Sequence, residues 1–341
     1  MRMKKLMILA VAAIALVACS KTFDVGTSSR EGRAIGFSTW AEHLTKTRVA
    51  GTNAFVDGDS IQVKGYKHLT SDVLVFDNVK VGYDGSAWAY ANPRYWDHQA
   101  DYYTFFAVSS PDTELSIGDA GAIAATQVVF HGNDNDVLLA DSVKVNNAQF
   151  GNEVHFDFRH IAALIDLNVK KTANLADATV SIDTVTFEGV DTTATLAVAY
   201  SAKVPTVTWA SRVTGKYNNR SGVTPRSLED LANIGQTGDS LITRLIVVPQ
   251  ELGDTRILKI SYTIKDKDNN ENTFSNVSIK LNEFDTESNE VNAEDDKTIG
   301  SWVANTHYIY TLTIDADIIT FSAEIKAWET TPVNGYYYLI Q

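Results

Sequence analysis

A chain of 341 residues, 44% apolar and 10% aromatic, carries enough hydrophobic material for one large or two ordinary domains and is not a disordered sequence. Its formal net charge of -13 sets it apart from nucleic-acid binders, whose phosphate contacts need clustered Lys and Arg. One cysteine, Cys19, leaves no partner for a disulfide and no thiolate cluster for a metal.

The first residues, MRMKK, are basic, and LMILAVAAIALVA is an apolar run too short for a stable membrane span, the pattern of an export signal. They lead into Leu16-Val17-Ala18-Cys19, which resembles the lipobox of bacterial lipoproteins. In that motif residues 1–18 are a signal peptide, and Cys19 is lipidated on sulfur and becomes the new N-terminus. Each buried methylene of an acyl chain gains about 0.8 kcal/mol, so two or three chains on one cysteine tether a protein firmly to a membrane.

A polar tether, SKTFDVGTSSREGR, follows, and then AIGFSTW (Ala34 to Trp40) reads as a strand with Ile35 and Phe37 on one side. Beyond it the dominant period is two. Ile61, Val63 and Gly65 alternate with Gln62 and Lys64 in SIQVKGY. The aromatic block from Ser86 to Pro111 reads as two strands around a Pro93 turn, with Trp88, Tyr90, Trp96, Tyr103 and Phe105 filling a core. A glycan-stacking surface is the other use of such a block. NDVLLADSVK (Asn135 to Lys144) has room for one helical turn, and Ser227 can cap a short helix in TPRSLEDLANIG.

In EVHFDFRHIAALIDLNVK the apolar face falls on Val154, Phe156 and Phe158, and then on Ile165, Leu167 and Val169. A one-residue shift reverses which side chains point inward, so the strand must kink or change sandwiches near Arg159 to Ala163. That break divides the chain into an N-terminal part, 49–160, and a C-terminal part, 161–341. In the latter, Leu258, Ile260, Tyr262 and Ile264 alternate with polar residues, as do Tyr308, Tyr310, Leu312 and Ile314. The acidic stretch from Thr286 to Thr298 reads as a solvated loop. The last residues, VNGYYYLIQ (Val333 to Gln341), form an apolar strand-like segment behind an Asn-Gly turn. No βαβ spacing appears, so the expected class is all-β: antiparallel sandwiches with half-buried strands.

Catalytic signatures are absent: there is no Gly-x-Ser-x-Gly, no His-Glu-x-x-His, no P-loop and no dinucleotide fingerprint. The pair His155 and His160 straddles the register break and reads as structural. Asn133 to Asp136 (NDND) lacks the spacing and glycine of a calcium loop and reads as a turn. Neither an enzyme nor a bound cofactor or metal is expected.

The series WAYANPRYWDHQADYYTFFAVSSP, NDVLLA, VHFDFRHIAALIDLNV, LIVVPQ and WVANTHYIYTLTI, in this order and together with the lipobox, resembles the landmarks of the fimbrillin family. These are the fimbrillin-A-like subunits of type V pili in gut and oral Gram-negative anaerobes. The resemblance implies two tandem transthyretin-like Greek-key β-sandwiches and export as an outer-membrane lipoprotein. It also implies cleavage by an arginine-specific, trypsin-like protease, then polymerisation by donor-strand exchange with other pilin subunits into an adhesive surface fibre.

On this sequence the scheme implies cleavage at Arg48, which would remove the 19–48 propeptide with Cys19, its lipid and the first strand. Arg33 and Arg30 are the runners-up, and a cut at either leaves the strand in place. It also implies a donor strand within 333–341, where Tyr336, Tyr338 and Ile340, or else Tyr337 and Leu339, enter the vacated groove. The alternative is a surface lipoprotein that keeps its lipid, as a pilus anchor or tip subunit or as a glycan-binding protein.

Overall fold

The computed structural model describes residues 33–39, 55–111, 113–130, 136–218, 232–282, 285–286, 299–316 and 318–328. Among these the chain forms strands throughout, interrupted by three 3-10 turns of three residues each, so the expected all-β class holds. The alternations read from the sequence become strands Ser60–His68, Ile257–Lys265 and Thr306–Ile314. In the second of these Leu258, Ile260, Tyr262 and Ile264 are buried, and their neighbours are half-exposed.

The first half is built on an antiparallel sheet. Its strands run in the order Phe158–His160, Leu138–Ala140, Tyr102–Ser109, Ser60–His68, Asp72–Tyr83 and Trp88–Ala89, with Val143–Asn146 also paired to Tyr102–Ser109. Two short strands, Phe37–Thr39 and Val154–Phe156, pair in parallel and contribute to the same aromatic core as this sheet. The central strands are buried on both sides. Tyr103, Phe105 and Ala107 face the first core, and Phe106 and Val108 face a second one.

Leu138 and Ala140 are divided from Leu139 in the same way. A strand covered on both faces reads as a continuous apolar run rather than an alternation. This is why Asn135–Lys144, expected to hold a helical turn, instead contributes strands Leu138–Ala140 and Val143–Asn146. The aromatic block also departs from two full strands. Only Trp88–Ala89 is strand before Tyr102, and Trp96, Tyr103 and Phe105 are buried while Trp88 and Tyr90 are half-buried.

The second half closes its core between two sheets. One runs Asp239–Val247, Ala163–Lys171, Thr306–Ile314, Ile319–Ala327 and Asp285–Thr286, with Ala163–Lys171 parallel to Thr306–Ile314. The other runs Thr206–Asn218, Thr179–Ala199, Ile257–Lys265 and Glu271–Lys280. The 21-residue strand Thr179–Ala199 takes one further partner, Ile123–Val129, which lies within residues 49–160 of the sequence yet pairs with Thr193–Val198. The two halves are therefore laced together by a strand as well as by a shared core.

The register break coincides with the passage between cores. Val154, Phe156 and Phe158 belong to the first, and Ile161 to Ile165, Leu167 and Val169 belong to the second. Ser227 and residues 287–298 of the acidic stretch lie outside the described residues.

Candidate functional site

The segment Ala34–Thr39 alternates so that Ile35 and Phe37 point one way, and both are buried, at 0% and 3% exposure. Phe37 enters a cage of four rings. Phe76 and Phe105 meet it edge-on at 5.3 and 6.0 Å, Phe156 stacks at 5.8 Å, and Tyr90 is tilted at 5.6 Å. Edge-to-face and offset rings at these separations are favourable beyond their buried area. Room for the cage comes from Gly65, where a Cβ would lie 2.6 Å from Cδ1 of Phe105.

The backbone of the segment is held from both sides. On one side it pairs in parallel with Val154–Phe156, and the Val154 amide donates to the Gly36 carbonyl at 2.8 Å. On the other, the Ile35 amide donates to the Arg94 carbonyl at 2.7 Å, Ala34 bridges Tyr95, and the Tyr90 hydroxyl donates to the Ile35 carbonyl at 2.7 Å. Burial pushes the Tyr90 hydroxyl above its ordinary pKa, so it keeps the proton it donates. Arg94 fixes this wall: its Nε donates to the Val75 carbonyl at 2.7 Å and its guanidinium lies 4.8 Å from the centre of the Phe76 ring. The ladder itself covers only Phe37 to Thr39. A short element is thus held chiefly by two plugs and a few main-chain bonds.

Arg33 stands exposed at the head of this segment, its guanidinium donating to the Gly151 carbonyl at 3.2 Å. Cys19, Arg48, Tyr336, Tyr337, Tyr338, Leu339 and Ile340 lie outside the described residues. The described chain resumes on either side of residues 40–54. Thr39 closes the first strand, and Phe55 is buried against Trp88 at 5.0 Å and Phe158 at 5.5 Å. At the other end, Trp328 stacks on His160 with ring centroids 3.9 Å apart and 7° between planes, and His160 Nδ1 is 2.9 Å from Asp136 Oδ1.

His160 is therefore a packing residue, and His155, 3.2 Å from Ser38 Oγ, abuts the first strand. Among the described residues no group of three or more His, Cys, Asp or Glu side chains is placed to hold a metal ion. The sequence reading missed the receiving wall, Tyr90, Arg94 and Val154–Phe156, as a unit. Its only trace there is an excess of aromatics, which does not say which of them surround a particular partner.

A family model described as fimbrillin-like matches residues 47–328. The chain belongs to the fimbrillin-like family. No curated protein matches the sequence significantly. Among solved structures, the chain is similar to a candidate cell adhesion protein from Bacteroides uniformis, with 17% identity and a TM-score of 0.51 over 86% of this chain and 98% of the other. It is similar also to a fimbrial protein from Bacteroides vulgatus, with 16% identity and a TM-score of 0.51 over 87% and 99% of the two chains. At such identities the likeness is one of fold.

Proposed function

We propose that this chain is a structural subunit of a surface fimbrium, of the type V pilus kind, which serves adhesion and has no catalytic role of its own. It reaches the outer membrane as a lipoprotein acylated on Cys19. An arginine-specific protease then cuts after Arg48, which releases the lipid and the first strand and leaves a groove for a strand from another subunit. The donor is the Tyr336–Ile340 region, which adds to the open ladder and sends alternate side chains into the pockets.

The observation that carries this reading is the seating of Ile35 and Phe37. They complete the first core, yet they belong to a segment joined to Phe55 only through residues 40–54, in which Arg48 is the one arginine. The surroundings of Arg33 speak against a cut there. Proteases prefer unpaired chain, and just after Arg33 the exposed Ala34 is bridged to Tyr95 and Ile35 is buried. Two fully buried large apolar side chains are worth about 1.5–3 kcal/mol each. An emptied groove therefore has strong reason to accept a replacement.

Mass spectrometry of the protein from the cell surface tests the processing: the expected mature N-terminus is Val49. An intact acylated Cys19 would instead make the chain a retained lipoprotein. Deletion of Tyr336–Gln341 should leave a folded monomer that no longer forms protease-triggered, SDS-resistant ladders, and ladders that persist unchanged would remove the tail from the donor role.

A further inference from the structure

A cavity of about 260 Å³ lies between the C-terminal half of the first strand and the turn that carries Tyr83 and Trp88, with Phe55 as a third aromatic wall and Ser86 and Glu153 on its polar side. Alternation puts Thr39 on the same face as Ile35 and Phe37. Those two are sealed from solvent, whereas Thr39 is only half-buried and, among the described residues, lines the cavity without filling it. Its ladder partner is Phe156, and the next inward residue of that run, Phe158, packs on Phe55. The resident strand thus brings two large plugs and one small one to a groove with three places. A void of about 150 Å³ already holds a benzene ring, so an aromatic side chain fits here.

We infer that the Thr39 position is a third side-chain subsite of the groove, underfilled by the resident strand and taken by a large aromatic or branched aliphatic side chain of the strand that replaces it. The occupant is the Val333–Gln341 segment of a second copy, so the inference rests on the strand-replacement reading above. That segment offers Tyr336, Tyr338 and Ile340 at the same two-residue spacing as Ile35, Phe37 and Thr39. The incoming strand then gains contacts that the outgoing one lacks, which gives the replacement its direction.

The test puts the missing bulk into the resident strand. In the full chain, Thr39→Phe should raise the melting temperature by a few degrees, with Thr39→Leu as a smaller filler should the phenyl ring strain the turn. After cleavage at Arg48, displacement of the first-strand fragment by excess synthetic Val333–Gln341 peptide should be about tenfold slower for the filled variant than for the original chain. Melting temperatures unchanged or lowered in both variants, with displacement at the original rate, would overturn the subsite. A peptide that displaces neither strand would instead dismiss the tail as donor, and a raised melting temperature would still uphold the subsite.

Discussion

The two cores of this molecule are built from different stock. Among the described residues, nine of the nineteen buried members of the first core are aromatic, whereas the second relies on Val, Leu and Ile along strands as long as 21 residues. A core of few, large rings concentrates its stabilisation in single side chains, because each removal leaves a void that its rigid neighbours cannot close. A core of many small plugs spreads the same burden. The first core also draws Ile35 and Phe37 from a segment that the rest of the chain holds by a three-residue ladder. The second lies between two sheets whose strands all come from sequence beyond residue 122, with Phe106 and Val108 of the first sheet packed against them. The element held by so short a ladder thus serves the first core alone.

The widest separation between them should come from taking the first strand away. With the chain cut after Arg48 and the fragment separated, hydrogen exchange should show loss of protection along Phe105 and Val154–Phe156, with Tyr308–Ile314 still protected. Equal loss in both places would mean that the cores unfold as one unit. Next in size, Phe37→Ala should cost about 3–5 kcal/mol in chemical denaturation of the uncut chain. A third variant, Gly65→Ala, presses a methyl group into the Phe105 and Phe76 rings and should cost about 1–3 kcal/mol by overpacking. A neutral result there would show that the cage is loose.

The smallest effect belongs to the surface pair Lys67–Asp97, 2.7 Å apart on the first sheet. The hydrogen bond from Lys67, joined by that from the Gln99 amide, holds the Asp97 carboxyl below its usual value of 3.8. Its stabilisation is therefore present above that value and is lost as pH falls through the lower folded value. Asp97→Asn should cost less than about 1 kcal/mol at pH 7, and the difference from the parent should close in acid, as read by melting curves across pH.

Much of this architecture was legible in the sequence because half-buried antiparallel strands write their burial as alternation, as Leu258 to Ile264 do. The register break at Arg159 to Ala163 was legible for the same reason, since a change of core is a change of parity. What escaped was whatever two cores share. Leu138, Leu139 and Ala140 are apolar on every side and carry no period, so their strand was mistaken for a place where a helical turn fits. The pairing of Ile123–Val129 with Thr193–Val198 is a long-range contact with no local sign. The first strand was readable as a strand with two inward residues. The wall that receives it was not, because Tyr90, Arg94 and Val154 meet only through folding.

The stack of Trp328 on His160 has a mechanical consequence. His160 lies four residues beyond Phe156, the last rung of the ladder that holds the first strand, and Trp328 is the last described residue before the tail. In a fibre whose joints are made at that ladder and by that tail, tension would enter and leave each subunit through one short stretch, Val154 to His160, clamped by an indole.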